Sequence, residues 1–131
     1  MLFRSRNMFR LRLVVLLFVL HTSVFSQSTE DGKKFIYYER YKSAKDVFEK
    51  ILQAKPNNPE ASYWLGQALI GLENIDKAAE VFKAAAVVNP NDPLLLAGLG
   101  EIELYKNNKE VARNLFETAL TVSKEIGRAH V

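Results

Sequence analysis

The chain has 131 residues, 25% of them charged and 48% apolar, with no cysteine and a formal net charge of +3. The missing cysteine excludes a disulfide, a thiolate nucleophile, a cysteine metal site and a lipidated cysteine anchor. The positive balance sits at the front: Arg4, Arg6, Arg10 and Arg12 precede residue 13. From Gln27 to Lys124 thirteen basic residues meet fourteen acidic ones, a net −1 that leaves no basic surplus for nucleic acid.

Residues 8–26 read as an export signal. Arg10 and Arg12 make a positive start, Leu13 to Leu20 form an unbroken apolar run, and Val24 and Ser26 are small enough to precede a cleavage site before Gln27. The competing reading is an uncleaved membrane anchor. A spanning helix needs about 20 apolar residues, which this run reaches only by including His21, Thr22 and Ser23. Length favours the cleaved signal, and an exported, periplasmic or envelope-associated protein is the expected result.

Beyond the signal the pattern is helical throughout. Ser28 to Tyr38 predicts a helix, Glu39-Arg40 a turn, and Lys42 to Ala54 a second helix. Glu60 to Leu72 places Ala61, Trp64, Leu65, Ala68 and Leu72 on one face, at spacings of three and four. Glu73-Asn74 breaks that pattern, and Asp76 is expected to cap the next helix. That helix carries Ala78, Ala79, Val81, Phe82, Ala85 and Ala86 and stops at Asn89-Pro90, since proline lacks the amide hydrogen a helix needs. Leu94 to Tyr105, a turn at Lys106-Asn107-Asn108, and Lys109 to Ser123 complete the series. No segment sustains a period of two, so no strand is predicted.

One constant step, the distance from Leu65 to Leu99, ties these elements together. Leu65-Gly66 recurs as Leu99-Gly100; Ala78, Phe82 and Ala85 recur as Ala112, Phe116 and Ala119; and one step back stand Ala44, Phe48 and Ile51. Pro90 follows Pro56 at the same interval. A fixed period of this length marks a stacked helical array. The Leu-Gly pair, the Ala-Phe-Ala set and the closing Pro resemble the tetratricopeptide repeat family over about Ser28 to Lys124. The resemblance implies an all-α, right-handed superhelix of antiparallel helix pairs, with repeats at about residues 28–58, 59–92 and 93–124. The small residues Gly66, Gly100, Ala78 and Ala112 let helices approach, and Phe48, Phe82 and Phe116 fill the space between pairs. Two departures stand out: Ser62 holds the family's usual Trp place, with Trp64 two residues on, and the first unit has Asp31-Gly32 where Leu-Gly is expected.

Chemistry has little to build on. Histidine occurs only at His21 and His130, so the repeats hold neither His nor Cys. A Ser–His or Cys–His nucleophile pair cannot be assembled from them, and zinc, which takes mainly those ligands, is not expected. Gly98 and Gly100 lie inside a predicted helix, where close packing accounts for them better than a phosphate loop. No enzyme activity, metal or cofactor is expected of this segment.

The resemblance instead implies a groove lined by the first helix of each repeat. By position its candidates are Lys33, Ile36 and Tyr37; Tyr63, Gln67 and Ile70; and Ala97, Glu101, Leu104 and Tyr105. Tyrosines and exposed aliphatics among polar groups suit peptide recognition, while Ile36, Ile70 and Leu104 can equally pack against neighbouring helices. Some family members grip a partner's terminal carboxylate with Lys and Asn. Lys33, Gln67 and Glu101 hold those places, and Glu101 would repel a carboxylate. The basic, aromatic cluster of Lys33, Lys34, Tyr37, Tyr38, Arg40, Tyr41 and Lys42 can stack on nucleic acid or sugars. It reads better as an amphipathic cap over apolar surface.

The expected function is an exported scaffold in the bacterial envelope that binds a protein or peptide. The alternatives are the repeat region of a larger sensor or enzyme whose catalytic domain lies elsewhere, and a carbohydrate-binding module. Glu125 to Val131 and Met1 to Ser5 can both be encoded by a widely used sequencing adapter, so residues 1–5 and 125–131 are expected to be foreign and the chain a fragment. The last helix would then lack a successor, and its apolar residues would favour self-association.

Overall fold

The computed structural model describes residues 28–129. The expected signal at residues 1–26, including its first five residues, and the last two residues of the tail lie outside the described residues. Six helices follow in order: α1 (Thr29–Tyr37), α2 (Tyr41–Ala54), α3 (Pro59–Gly71), α4 (Ile75–Val88), α5 (Pro93–Tyr105) and α6 (Lys109–Ala129). There is no strand among the described residues.

The starts and stops follow from local chemistry. Ser28 and Asp31 form a reciprocal capping box at α1. Asn58 and Asp92 cap α3 and α5 through their side chains, with Pro59 and Pro93 at the first helical position, where a missing N–H costs nothing. The three turns inside the pairs share one device. Glu39, Glu73 and Asn107, successive positions at the repeat step, take left-handed φ values of 56°, 59° and 63°. The following amides of Arg40, Asn74 and Asn108 donate back to the carbonyls of Phe35, Leu69 and Glu103 at 2.8 Å. This closes each helix with the six-to-one hydrogen bond of a Schellman turn.

Two expectations are corrected here. Asp76 does not cap α4: Asn74 is the boundary residue and makes no side-chain cap bond, while Asp76 sits in the first turn. There its carboxylate still complements the positive end of the helix dipole. The last helix does not stop at Ser123 but runs on through Ala129. Lys124, Glu125, Ile126, Arg128 and Ala129 include good helix formers, no proline intervenes, and one glycine is too weak a breaker to end it.

Each helix packs on its sequence neighbour, and α1 also touches α3, as α3 touches α5. The second helices of successive pairs make no such contact among the described residues. The first helices therefore gather on the inner side of a curve and the second helices splay on its outer side. A cleft of about 310 Å³ opens between α2 and α4, lined by Leu52, Leu65, Val81, Ala85 and Val88.

The core runs along the stack: Ala44, Phe48, Ala61, Ala68, Ala78, Phe82 and Leu95 are fully buried. Phe82 explains two glycines. A Cβ on Gly66 would strike its ring, and a Cβ on Gly98 would come within 2.8 Å of it. Gly100 stands likewise against Phe116. Gly32 does the same work against Phe48, so the departure at Asp31-Gly32 keeps the residue that close packing requires. Ser62, in the usual Trp place, is buried and donates its hydroxyl to the Asn58 carbonyl at 3.0 Å.

Candidate interaction face

The inner side of the curve is built by one register repeated. The repeat step places Lys33, Gln67 and Glu101 in one row, Ile36, Ile70 and Leu104 in the next, and Tyr37, Gly71 and Tyr105 beside them. Within α3 and α5, residues three and four apart share a face. Tyr63 with Ala97, Gln67 with Glu101, and Ile70 with Leu104 are thus successive rungs across the two helices.

The middle rung is closed by a hydrogen bond. Gln67 Nε2 donates to Glu101 Oε2 at 2.6 Å, joining residues separated by the repeat period itself. Tyr63 stacks obliquely on Phe82, with ring centroids 6.1 Å apart, and edge-on against Trp64 at 5.0 Å. Burial first, and the Glu101 carboxylate second, push the Tyr63 phenol above its ordinary value.

At the α1 end the charge is already used. Lys33 Nζ lies 2.6 Å from a Glu60 carboxylate oxygen and 3.0 Å from one of Glu30, and 5.6 Å over the Trp64 ring. Its pKa is raised, chiefly by the bond to Glu60 and then by that to Glu30. The Trp64 indole N–H is buried without a hydrogen-bond partner among the described residues.

The ten candidates thus fall into groups. Lys33, Tyr63, Gln67, Ala97 and Glu101 are half-buried; of these, Gln67 and Glu101 are joined directly, Tyr63 lies within the field of Glu101, and Lys33 is held by Glu30 and Glu60 instead. Ile36 and Ile70 pack against the core, whereas Leu104 and Tyr105 are about half exposed and Tyr37 is 81% exposed. Glu60 and Trp64 complete the face and were missed from sequence. The signal for Gln67 and Glu101 was the period itself, but Lys33 and Glu60 are offset by less than one repeat, and only helix placement reveals that pair.

The basic cluster disperses. Tyr37 and Tyr38 are exposed and meet edge-on, Arg40 lies over Phe35 at 5.1 Å, and Tyr41 fills the space above Gly71. Among the described residues no three carboxylate, imidazole or thiol side chains gather as a metal site, and no helix is long and apolar enough to cross a membrane.

A tetratricopeptide repeat family model matches residues 36–102, just over half of the chain. No curated protein matches by sequence. Among solved structures, a MamA RS-1 ArsTM double mutant is 25% identical with a TM-score of 0.61, covering 73% of this chain and 54% of its own. The Sgt2 tetratricopeptide domain from Aspergillus fumigatus is 22% identical with a TM-score of 0.66, covering 73% of this chain and 64% of its own. The first such domain of Spaghetti (RPAP3), bound to the HSP90 peptide SRMEEVD, is 23% identical with a TM-score of 0.64, covering 76% of this chain and 82% of its own. The chain spans about half the length of the MamA structure, 54%. These likenesses establish the all-α tetratricopeptide superhelix.

Proposed function

The chain belongs to the tetratricopeptide repeat family, and from that premise we propose that it is a non-catalytic scaffold whose inner helical face binds a protein or peptide. The observation that carries this reading is the continuous face of α1, α3 and α5. Half-buried polar groups bonded across repeats lie there beside the exposed Leu104 and Tyr105. Aromatic and aliphatic anchors next to polar groups of fixed orientation are what peptide grooves present. The fold neighbour bound to an HSP90 peptide supports the class of ligand.

The scaffold acts outside the cytoplasm, in the bacterial envelope. That part rests on the apolar run Leu13 to Leu20 behind Arg10 and Arg12. Cell fractionation and N-terminal sequencing of the expressed chain check it: an exported form beginning near Gln27 is expected, and a cytoplasmic chain with an intact front overturns it.

The binding face is checked by site-specific photo-crosslinking. A crosslinking residue at Leu104 or Tyr37 is expected to trap a discrete partner, and one at Val87, exposed on the second-helix side, is not. Equal trapping at all three positions, or trapping at Val87 alone, overturns the assignment.

A further inference from the structure

The inner face is chemically lopsided. Its row of equivalent positions runs from a cation, Lys33, through a neutral amide, Gln67, to an anion, Glu101. The cation is cancelled within the protein, because Lys33 is held by both Glu60 and Glu30. The anion is not: among the described residues Glu101 makes no ion pair, and its one side-chain hydrogen bond is from a neutral amide. One lysine therefore stands against three glutamates on this face, and among the described residues Glu101 is the one of the three with no cation beside it.

The surroundings of Glu101 shape what can meet it. The rung before it pairs the half-buried Tyr63 with Ala97, also half-buried. The rung after it pairs Ile70, packed on the core, with Leu104, about half exposed. Successive rungs are one helical turn apart, about 5.4 Å, so apolar surface lies within reach on both sides of the charge. Gln67 holds the carboxylate in place, so little side-chain entropy remains to be lost on binding.

Resting on the scaffold reading above, we propose that this face docks an extended protein segment carrying a lysine or arginine. Its cation pairs with Glu101, and its flanking apolar residues lie on Tyr63 and on the Ile70–Leu104 rung. A partner presenting a carboxylate here is disfavoured twice, since it meets Glu101 directly and finds Lys33 already engaged. An extended chain advances about 3.3 Å per residue. The three rungs along α3 and α5 cover about 11 Å, so roughly four extended residues make these contacts and a segment of about eight leaves a flank at each end.

The test pans a library of randomised peptides, about eight residues long, against the purified full chain and three variants: Glu101→Gln, Glu103→Gln and Leu104→Asp. Glu103 is a carboxylate on the same helix whose bonds go to Lys106 and Asn108. Circular dichroism confirms that each variant is folded. Peptides selected by the native chain are expected to be enriched in Lys and Arg over Asp and Glu. Their affinity should fall about tenfold in Glu101→Gln, as for loss of a charge-assisted hydrogen bond, and remain unchanged in Glu103→Gln. Peptides that lose binding in Leu104→Asp but show no basic enrichment, or bind Glu101→Gln equally well, overturn the cationic anchor and leave the scaffold reading intact. Selection of no peptide, or of peptides indifferent to both Leu104→Asp and Glu101→Gln, overturns both.

Discussion

Phe82 and Phe116 occupy the same register of successive repeats, yet they live in different surroundings. Phe82 is fully buried, wedged between Gly66 of its own pair and Gly98 of the next. Phe116 is only half-buried and stands against Gly100 of its own pair. The ring is identical and the helix around it is the same kind; what differs is the neighbour on its far side. Burial in a stacked array belongs to the interface between units and not to the unit alone, and so does most of the stability.

The sharpest way to break that comparison is to delete both rings. Phe82→Ala is expected to cost about 3–5 kcal/mol, as for a large-to-small change in a closed core. Phe116→Ala should cost roughly half as much, because less apolar area leaves water when it folds. Urea unfolding of the two variants measures the difference, and equal losses would mean that the far-side neighbour contributes nothing.

A smaller contrast lies in the glycines. Gly98→Ala drives a methyl to within 2.8 Å of the Phe82 ring and should destabilise by about 1–3 kcal/mol through overpacking. Gly127→Ala, near the end of α6, meets nothing within 4 Å and should stabilise by about 0.5–1 kcal/mol, the usual gain of alanine over glycine in a helix. Thermal melts of both variants decide it, and a destabilised Gly127→Ala would show that α6 has a partner at that point.

The exposed side of α6 provides the third test. Leu120 is 61% exposed and Phe116, four residues before it on the same face, is half-buried, whereas one repeat back Ala86 is half-buried and Phe82 fully buried. The chain is expected to self-associate through this surface. Leu120→Glu should weaken the association at least about tenfold, a loss of roughly 1.4 kcal/mol. Sedimentation equilibrium reads this directly, and a native chain that stays monomeric at all concentrations removes α6 as a contact surface.

The smallest effect concerns Tyr63, which leans on Phe82 from the inner face. Its phenol is raised by burial and then by Glu101, so the folded state holds the proton more tightly than the unfolded chain does. The stabilisation is fully present below the ordinary phenol value of about 10 and is lost as pH rises through the higher folded value. Ultraviolet titration, with Tyr63→Phe as the difference reference, should show late ionisation. Glu101→Gln should move it part of the way back, leaving the larger share due to burial. No movement at all would separate Tyr63 from the Glu101 rung.

Much of the fold was legible because a repeat states its pattern three times. Helix limits came within a residue or two at most boundaries, since Pro59, Pro93 and the Asn-rich turns punctuate the chain where amides run out of partners. The failures were local. Asp76 looked like a cap because the residue type is right, but the Schellman turn places the boundary at Asn74, two residues earlier. The helix end was placed at Ser123, although nothing from Lys124 to Ala129 can stop a helix. Asp31-Gly32 read as a lapse from the motif, whereas the glycine alone mattered.

The chain's own periodicity determined the architecture, since side chains recurring once per repeat can be buried together only if the units stack in register. The same period carried the Gln67–Glu101 row. Tertiary structure alone decided which charges cancel and which remain. Lys33 pairs with Glu60 because α1 lies beside α3, and Glu101 is left with only an amide because α5 meets α3 at Gln67. Helix formation depends on neighbours three and four residues away, which a sequence displays. Ion pairing between helices depends on distances of a few ångströms, which only the packed array sets.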